Sequence, residues 1–248
     1  MLVFLIHLLL IIGFSWLGFS LFFPVYGIGL AIILSLLIIV GALILSTVLL
    51  FVYFVGFFWI LRKQSPQNMA RHHLLNAYSR YIYNILLRVK VHVVGSENIP
   101  KSKPFVIYSN HIEYSDPVYI HQVFHAFPVA FISKESLFKT KLTKLVLSGI
   151  GCIPISRVAD RSALNSIVEG IKVVKSGQPM GIFPEGKRTY SHDMIDFKAG
   201  SFKLATKANA PIIPVCLSNM HETLRKHRIK IAHVTLTILP AITHEQYD

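Results

Sequence analysis

From Met1 to Leu61 the chain contains no aspartate, glutamate, lysine or arginine, so all 25 basic and all 12 acidic side chains of this 248-residue protein lie after that point. No soluble core helix needs about sixty uncharged, mostly aliphatic residues in succession, whereas roughly 20 suffice to cross a bilayer. Cysteine is almost absent. Cys152 and Cys216 are too few for a disulfide framework, and neither their spacing nor their neighbours suggests a metal site. A reducing, cytoplasmic setting fits. The N-terminus also lacks the basic n-region of a signal peptide, and no small-residue cleavage site precedes the second apolar block. Internal repeats and low-complexity linkers are missing too, so the charged part reads as one domain. Acidic residues are scarce, leaving a net charge of +13 that speaks to partners and not to topology. Anionic lipid headgroups, phosphorylated substrates and nucleic acid would all match that charge. The apolar N-terminus favours the first two, so no nucleic-acid partner is expected.

The uncharged block is expected to cross a membrane twice. Proline and glycines in "FPVYGIG", Phe23 to Gly29, interrupt it and leave spans of about residues 2–23 and 30–50. Tyr53, Phe54, Phe57, Phe58 and Trp59 then form an aromatic belt ahead of Arg62 and Lys63. With Arg71, Arg80 and Arg88 close behind, the basic bias puts this end on the cytoplasmic side of the cell membrane. The expected division is therefore 1–63, membrane-spanning, and 64–248, catalytic.

Residues 67–89 carry apolar and aromatic residues at helical spacing, while His72, Asn76, Arg80, Asn84 and Arg88 recur every four residues. This is an amphipathic helix with a basic stripe, and its pattern fits both a helix lying on a membrane and one covering a sheet. "VKVHVV" then alternates as a strand. Strands are expected at about 105–108, 129–132, 152–155, 180–183, 212–217 and 230–239, separated by helices from Pro117, at 135–147, 161–175 and 199–208. Such alternation predicts an α/β fold: a mostly parallel, mixed sheet flanked by helices.

Four short stretches fall at strand ends: "NHIEYSD" (Asn110–Asp116), "GCIPISR" (Gly151–Arg157), "FPEGKRT" (Phe183–Thr189) and "APIIPV" (Ala210–Val215). In the first, Pro117 suits the first turn of a helix and Asp116 its N-cap, so His111 belongs to a strand-to-helix loop, where α/β proteins bind ligands. A neutral imidazole can take a proton from a substrate hydroxyl at physiological pH. An acid accepting its other ring N–H fixes the tautomer and stabilises the imidazolium, as in a serine hydrolase triad. No G-x-S-x-G elbow is present, so the substrate alcohol itself would be the nucleophile. Gly186 permits a tight turn, and Arg188 suits bidentate phosphate binding unless it is paired with Glu185. Arg157 offers a second cation. His121 and His125 stand four apart, a spacing metals use, but no third ligand is evident, so no metal is expected.

In order and spacing these stretches resemble the glycerolipid acyltransferases, specifically the 1-acyl-glycerol-3-phosphate (lysophosphatidate) acyltransferases, with their NHx4D motif and later FPEGxRS-like block. The resemblance covers about residues 89–239. It departs at Ser156, where an aspartate usually precedes the arginine, and at Lys187, where threonine or glycine is common. It implies catalysis by His111 and Asp116, with Arg157, Glu185, Gly186, Arg188 and Lys134 on the substrate. It further implies acyl-CoA or acyl carrier protein as donor, a lysophospholipid as acceptor, a membrane as partner and no cofactor. In relatives the segment matching "KAGSFKLATKA" brings a glycine and a lysine near the site. Pro211 and Pro214 are expected to shape a strand end and the acyl channel wall.

Overall fold

The computed structural model describes residues 2–23, 25, 28–156, 161–190, 193–223 and 230–247, and the chain divides into two units, Met1–Ile60 and Leu61–Asp248. The first unit is two helices, α1 (Leu2–Phe22) and α2 (Ile28–Ile60). They pack as an antiparallel hairpin: His7 Nε2 lies 3.3 Å from Thr47 Oγ1, while Gly18 sits under Ile38. At 1.5 Å per residue the 21 residues of α1 extend about 31 Å and the 33 of α2 about 50 Å. The first matches the roughly 30 Å hydrocarbon thickness of a bilayer, and both helices are long and apolar enough to cross one. The apolar run expected to end near residue 50 continues as helix through the aromatic cluster to Ile60.

The second unit carries a seven-stranded sheet of β1 (Val89–Val94), β2 (Val106–Ser109), β3 (Ala130–Lys134), β4 (Ile153–Ile155), β5 (Met180–Ile182), β6 (Ile212–Ser218) and β7 (Ala232–Ile238). Its spatial order is β1-β7-β6-β2-β5-β3-β4, and every neighbouring pair is parallel except β6 with β7. The fold is thus the mixed, mostly parallel α/β sheet that the alternating sequence predicts. β2 and β5 are buried at every residue, which is why they read as unbroken apolar runs: both faces are covered. On one face Val106, Ile132, Met180 and Ile182 meet Ile167 and Val174 of α6 (Arg161–Lys175) and Leu204 and Ala205 of α7 (Lys203–Thr206). Phe105, just before β2, packs against Phe124, at the end of α4 (Asp116–Val123), with ring centroids 5.9 Å apart.

Two expected helices are shorter and broken. Residues 135–138 form a 3₁₀ turn before α5 (Lys141–Gly149), which Thr140 caps, and residues 199–202 form another before α7. The larger difference concerns 67–89. Here α3 (Met69–Ser79) passes into a π-helical segment, Arg80–Leu86, and the first two members of its polar stripe, His72 and Asn76, face inward while Arg80 and Arg88 are exposed. His72, Asn76 and Ser79 are buried against His121 and Gln122 of α4. Arg71, 1% exposed, donates to the carbonyls of Leu61, Gln64 and Ser65 instead of facing solvent. Ile82 and Leu86 are exposed. These residues form a polar seam in which most buried groups find partners in one another, although one nitrogen of the Asn76 amide and Arg71 Nε have none.

Candidate active site

β2 and β5 are neighbours in register, Tyr108 beside Ile182, so the loops leaving their carboxyl ends run side by side. The Thr189 and Tyr190 amides donate to the carbonyls of His111 and Ile112, at 2.9 and 3.2 Å, which stitches "NHIEYSD" to "FPEGKRT". Asn110 fixes the first loop from the other side. Its amide donates to Leu217 O and accepts from Leu217 N, at 3.0 and 2.7 Å, so the side chain continues the β2–β6 ladder by one step.

Within this frame His111 Nδ1 lies 2.8 Å from Asp116 Oδ2. Asp116 is fully buried, and the same oxygen accepts from the backbone amides of Ile112 and Glu113 at 2.6 and 2.8 Å. Asp116 is therefore not the N-cap expected from sequence. Ser115 holds that position, and the aspartate, as the first residue of α4, turns its carboxylate back onto the loop. Three N–H groups and the positive end of the helix all favour negative charge there. With Nδ1–H given to the carboxylate, Nε2 keeps a lone pair, and His111 lines a cavity of about 540 Å³. The Phe183 ring backs the imidazole, stacked at 4.1 Å.

Glu185, 3% exposed, accepts from the His111 amide at 2.7 Å and from the Ile195 amide at 3.4 Å. It does not pair with Arg188: among the described residues no carboxylate lies within 4 Å of that guanidinium. Arg188 stacks instead on Tyr114, 3.3 Å from the ring centroid. Gly186 has φ 70°, a left-handed conformation that favours glycine, and the nearest atoms to a Cβ there are the mobile end of the Lys198 side chain. Lys134 ends β3 at the same cavity. Of the seven expected residues, the structure thus gathers His111, Asp116, Lys134, Glu185, Gly186 and Arg188 at one site, and Arg157 lies outside the described residues.

The cavity has two kinds of wall. Ile132, Leu137, Ile155, Leu164, Ile167 and Ile182 make an apolar side, while Lys134, Lys187, Arg188, Lys198 and Lys203 supply cations. Lys198, Gly200, Ser201 and Lys203 come from the "KAGSFKLATKA" segment. Pro211 and Pro214 are not in the lining; they belong to the entry and interior of β6, where Pro211 O accepts from Val106 N. His125 lies beyond α4 and is exposed, whereas His121 is sealed in the α3–α4 seam, so the two do not converge.

Sequence reasoning missed Asn110 as a clasp, Phe183 as a ring support and Tyr114 as an arginine support. The first two had a signal in their places beside the histidine and at the end of β5. Nothing in the sequence gives the partner each side chain finds.

Residues 90–218, just over half of the chain, match the family model described as Acyltransferase. The chain belongs to the Acyltransferase family. It is 40% identical over 144 residues to the 1-acyl-sn-glycerol-3-phosphate acyltransferase of Borreliella burgdorferi, a match covering 58% of this chain and 57% of that protein. A probable 1-acyl-sn-glycerol-3-phosphate acyltransferase of Mycoplasma pneumoniae is 32% identical over 151 residues, covering 59% and 56%. The chain thus spans little more than half the length of these relatives. The solved structure of the 1-acyl-sn-glycerophosphate (LPA) acyltransferase from Thermotoga maritima superposes with a TM-score of 0.64 at 26% identity, covering 79% of this chain and 82% of that one. Both the dyad and the "FPEGKRT" loop lie inside the segment matched to the Acyltransferase family.

Proposed function

We propose that this protein is a membrane-bound O-acyltransferase that moves a fatty acyl group from acyl-CoA or acyl carrier protein to the sn-2 hydroxyl of lysophosphatidate, forming phosphatidate. The observation that carries this reading is the His111–Asp116 pair at a cavity with one apolar wall and five cations. The names of the relatives and of the solved neighbour support the acceptor.

The acceptor hydroxyl is placed against His111 Nε2, which takes its proton as the oxygen attacks the thioester carbonyl. Asp116 holds Nδ1–H and balances the imidazolium. The tetrahedral intermediate then collapses: the C–S bond breaks, the ester remains, and the departing thiolate takes the proton back from Nε2. No group on the protein is acylated. Glu185 keeps His111 in place through its backbone amide, while Arg188, aided by Lys134, binds the acceptor phosphate. The apolar wall takes the acyl chain, whose burial is worth roughly 0.8 kcal/mol per CH₂. Helices α1 and α2 anchor the domain to the cytoplasmic leaflet, which holds both acceptor and product.

An acceptor panel with the purified full chain and one radiolabelled acyl thioester tests this. Lysophosphatidate should be the fastest acceptor, ahead of other lysolipids and of glycerol 3-phosphate. Transfer to none of them, or thioester hydrolysis alone, would overturn the reading. Release of the protein from membranes by alkaline carbonate would overturn the anchoring.

A further inference from the structure

Arg188 follows the "FPEG" turn by two residues, on an open loop where, among the described residues, no carboxylate lies within 4 Å to aim it. An arginine has several rotatable bonds, and one left loose loses much of its binding strength to ordering on contact with a ligand. In this protein the guanidinium is already held. Its central carbon is 3.3 Å from the centroid of the Tyr114 ring and 5.4 Å from that of Tyr190. The two rings are 6.4 Å apart and inclined by 54°.

Both tyrosines are more than half exposed, at 60% and 51%, so core packing does not account for them. Tyr190 adopts a left-handed backbone, φ 54°, that a bulky residue rarely takes, and its amide is tied to Ile112 O. The loop thus accepts local strain where it sets this ring beside Arg188. Tyr114 also lines the cavity with His111 and Arg188. It stands in the loop that carries both members of the dyad.

The geometry matters because a guanidinium has a face and an edge. Its face makes no hydrogen bonds, whereas its five N–H donors radiate in the plane. A ring on the face fixes the group and leaves the edge open for a bidentate phosphate contact. A lysine ammonium has no such division.

We infer that Tyr114, with Tyr190 beside it, is the positioning residue that pre-aims Arg188 at the acceptor phosphate and so sets the distance between that phosphate and the base. This rests on the proposed function and adds a specificity-determining residue to it. The "NHx4D" loop then carries base, acid and arginine support on one short piece of chain, and the spacing from phosphate to hydroxyl in the acceptor is measured between two adjacent loops.

The test uses the full-length protein and the phosphate-bearing acceptor on which the wild type is fastest. Tyr114→Ala should raise KM for that acceptor roughly fivefold, the scale of an exposed cation–π contact, while KM for the acyl donor moves less than twofold. Tyr114→Phe, which keeps the ring, should bring the acceptor KM back towards the wild-type value, and Tyr114→Leu, which keeps bulk without the ring, should not. In an Arg188→Ala background the Tyr114→Ala change should add nothing, because the two act through one contact. An unchanged acceptor KM in Tyr114→Ala overturns the inference, as does failure of phenylalanine to rescue or a full additional loss in the double variant. A wild type that acylates other phosphate-bearing acceptors but not lysophosphatidate loses only the acceptor assignment, and Tyr114 is still read on the acceptor it uses. A wild type that acylates none overturns both.

Discussion

Two histidine sites flank α4, and they share a ring type but little else. His111 pairs with a carboxylate and faces a cavity. At the far end of the helix His121 pairs with another imidazole, its Nε2 3.0 Å from His72 Nδ1, in a seam closed to water. His72 Nε2 lies 2.9 Å from Pro66 O and can only donate to it, so His72 Nδ1 accepts from His121 Nε2–H. His121 Nδ1 then needs a donor; Asn76 Oδ1 lies 3.2 Å away and cannot donate, so the amide must be turned to bring its nitrogen, which otherwise has no partner, to that ring atom. Burial, and secondarily nearby Arg71 and His73, pulls His72 down to about 4 despite the Pro66 bond; burial and the facing His72 pull His121 down to about 3. Both rings stay neutral at physiological pH. The contrast teaches that a histidine is made available for proton transfer by its partner and its access together. The seam has neither a carboxylate nor an opening, and it serves as a joint between α3 and α4.

The largest expected difference between the two sites is in turnover. His111→Ala should lose about 10² to 10⁴ in kcat with its melting temperature unchanged, the usual worth of a general base. Asp116→Asn should follow with a loss on the order of 10² or more in kcat and little change in acceptor KM, because it disturbs tautomer and charge and leaves binding alone. Arg188→Ala should raise the acceptor KM roughly ten- to a hundredfold, the range for a hydrogen bond to a charged group, and spare the donor KM. A rise shared equally by both substrates would move Arg188 out of the phosphate site.

The seam responds in the opposite sense. His121→Ala should cost roughly 2 to 4 kcal/mol of stability, from the cavity and the stranded partners, yet keep kcat within about twofold where the protein is folded. Calorimetry and turnover on one preparation separate these effects, and a large kcat loss in the folded variant would erase the distinction. The seam should also make the protein acid-sensitive. Its histidines bind protons more readily unfolded, near pH 6.5, than folded, so the unfolded state gains protons first and stability falls as pH drops from about 6.5 towards 4. His121→Gln should flatten that slope. The smallest difference is in turnover: at each pH the folded His121→Gln enzyme should match the wild type within about twofold, because the seam does not touch the substrate.

Much of the site was readable because its chemistry is local. The spacing of His111 and Asp116, the glycine of the "FPEG" turn and the buried strands β2 and β5 are written in short stretches of chain. The sheet order was not, since β7 lies between β1 and β6 through contacts among residues far apart in sequence. The partner of Glu185 was out of reach for the same reason: a carboxylate three residues from an arginine leaves an ion pair open, and only the folded loops reveal the His111 amide beside it. The stripe of α3 was misread in another way. Periodicity assigns polar residues to the outside, but His72, Asn76 and Ser79 find polar partners on α4, and that pairing has no signature in α3 itself. Asp116 looked like a cap because caps and catalytic acids use the same residue at the same place, ahead of a helix.

The most direct measurement of the central claim, that His111 and Asp116 act as one unit on the substrate hydroxyl, compares kcat in His111→Ala with kcat in the double variant His111→Ala/Asp116→Asn. Once the base is gone the aspartate has nothing left to orient, so the account predicts the same residual rate in both, within about twofold. A double variant slower than His111→Ala by the full Asp116→Asn factor would contradict it, as would a His111→Ala enzyme that still turns over near the wild-type rate.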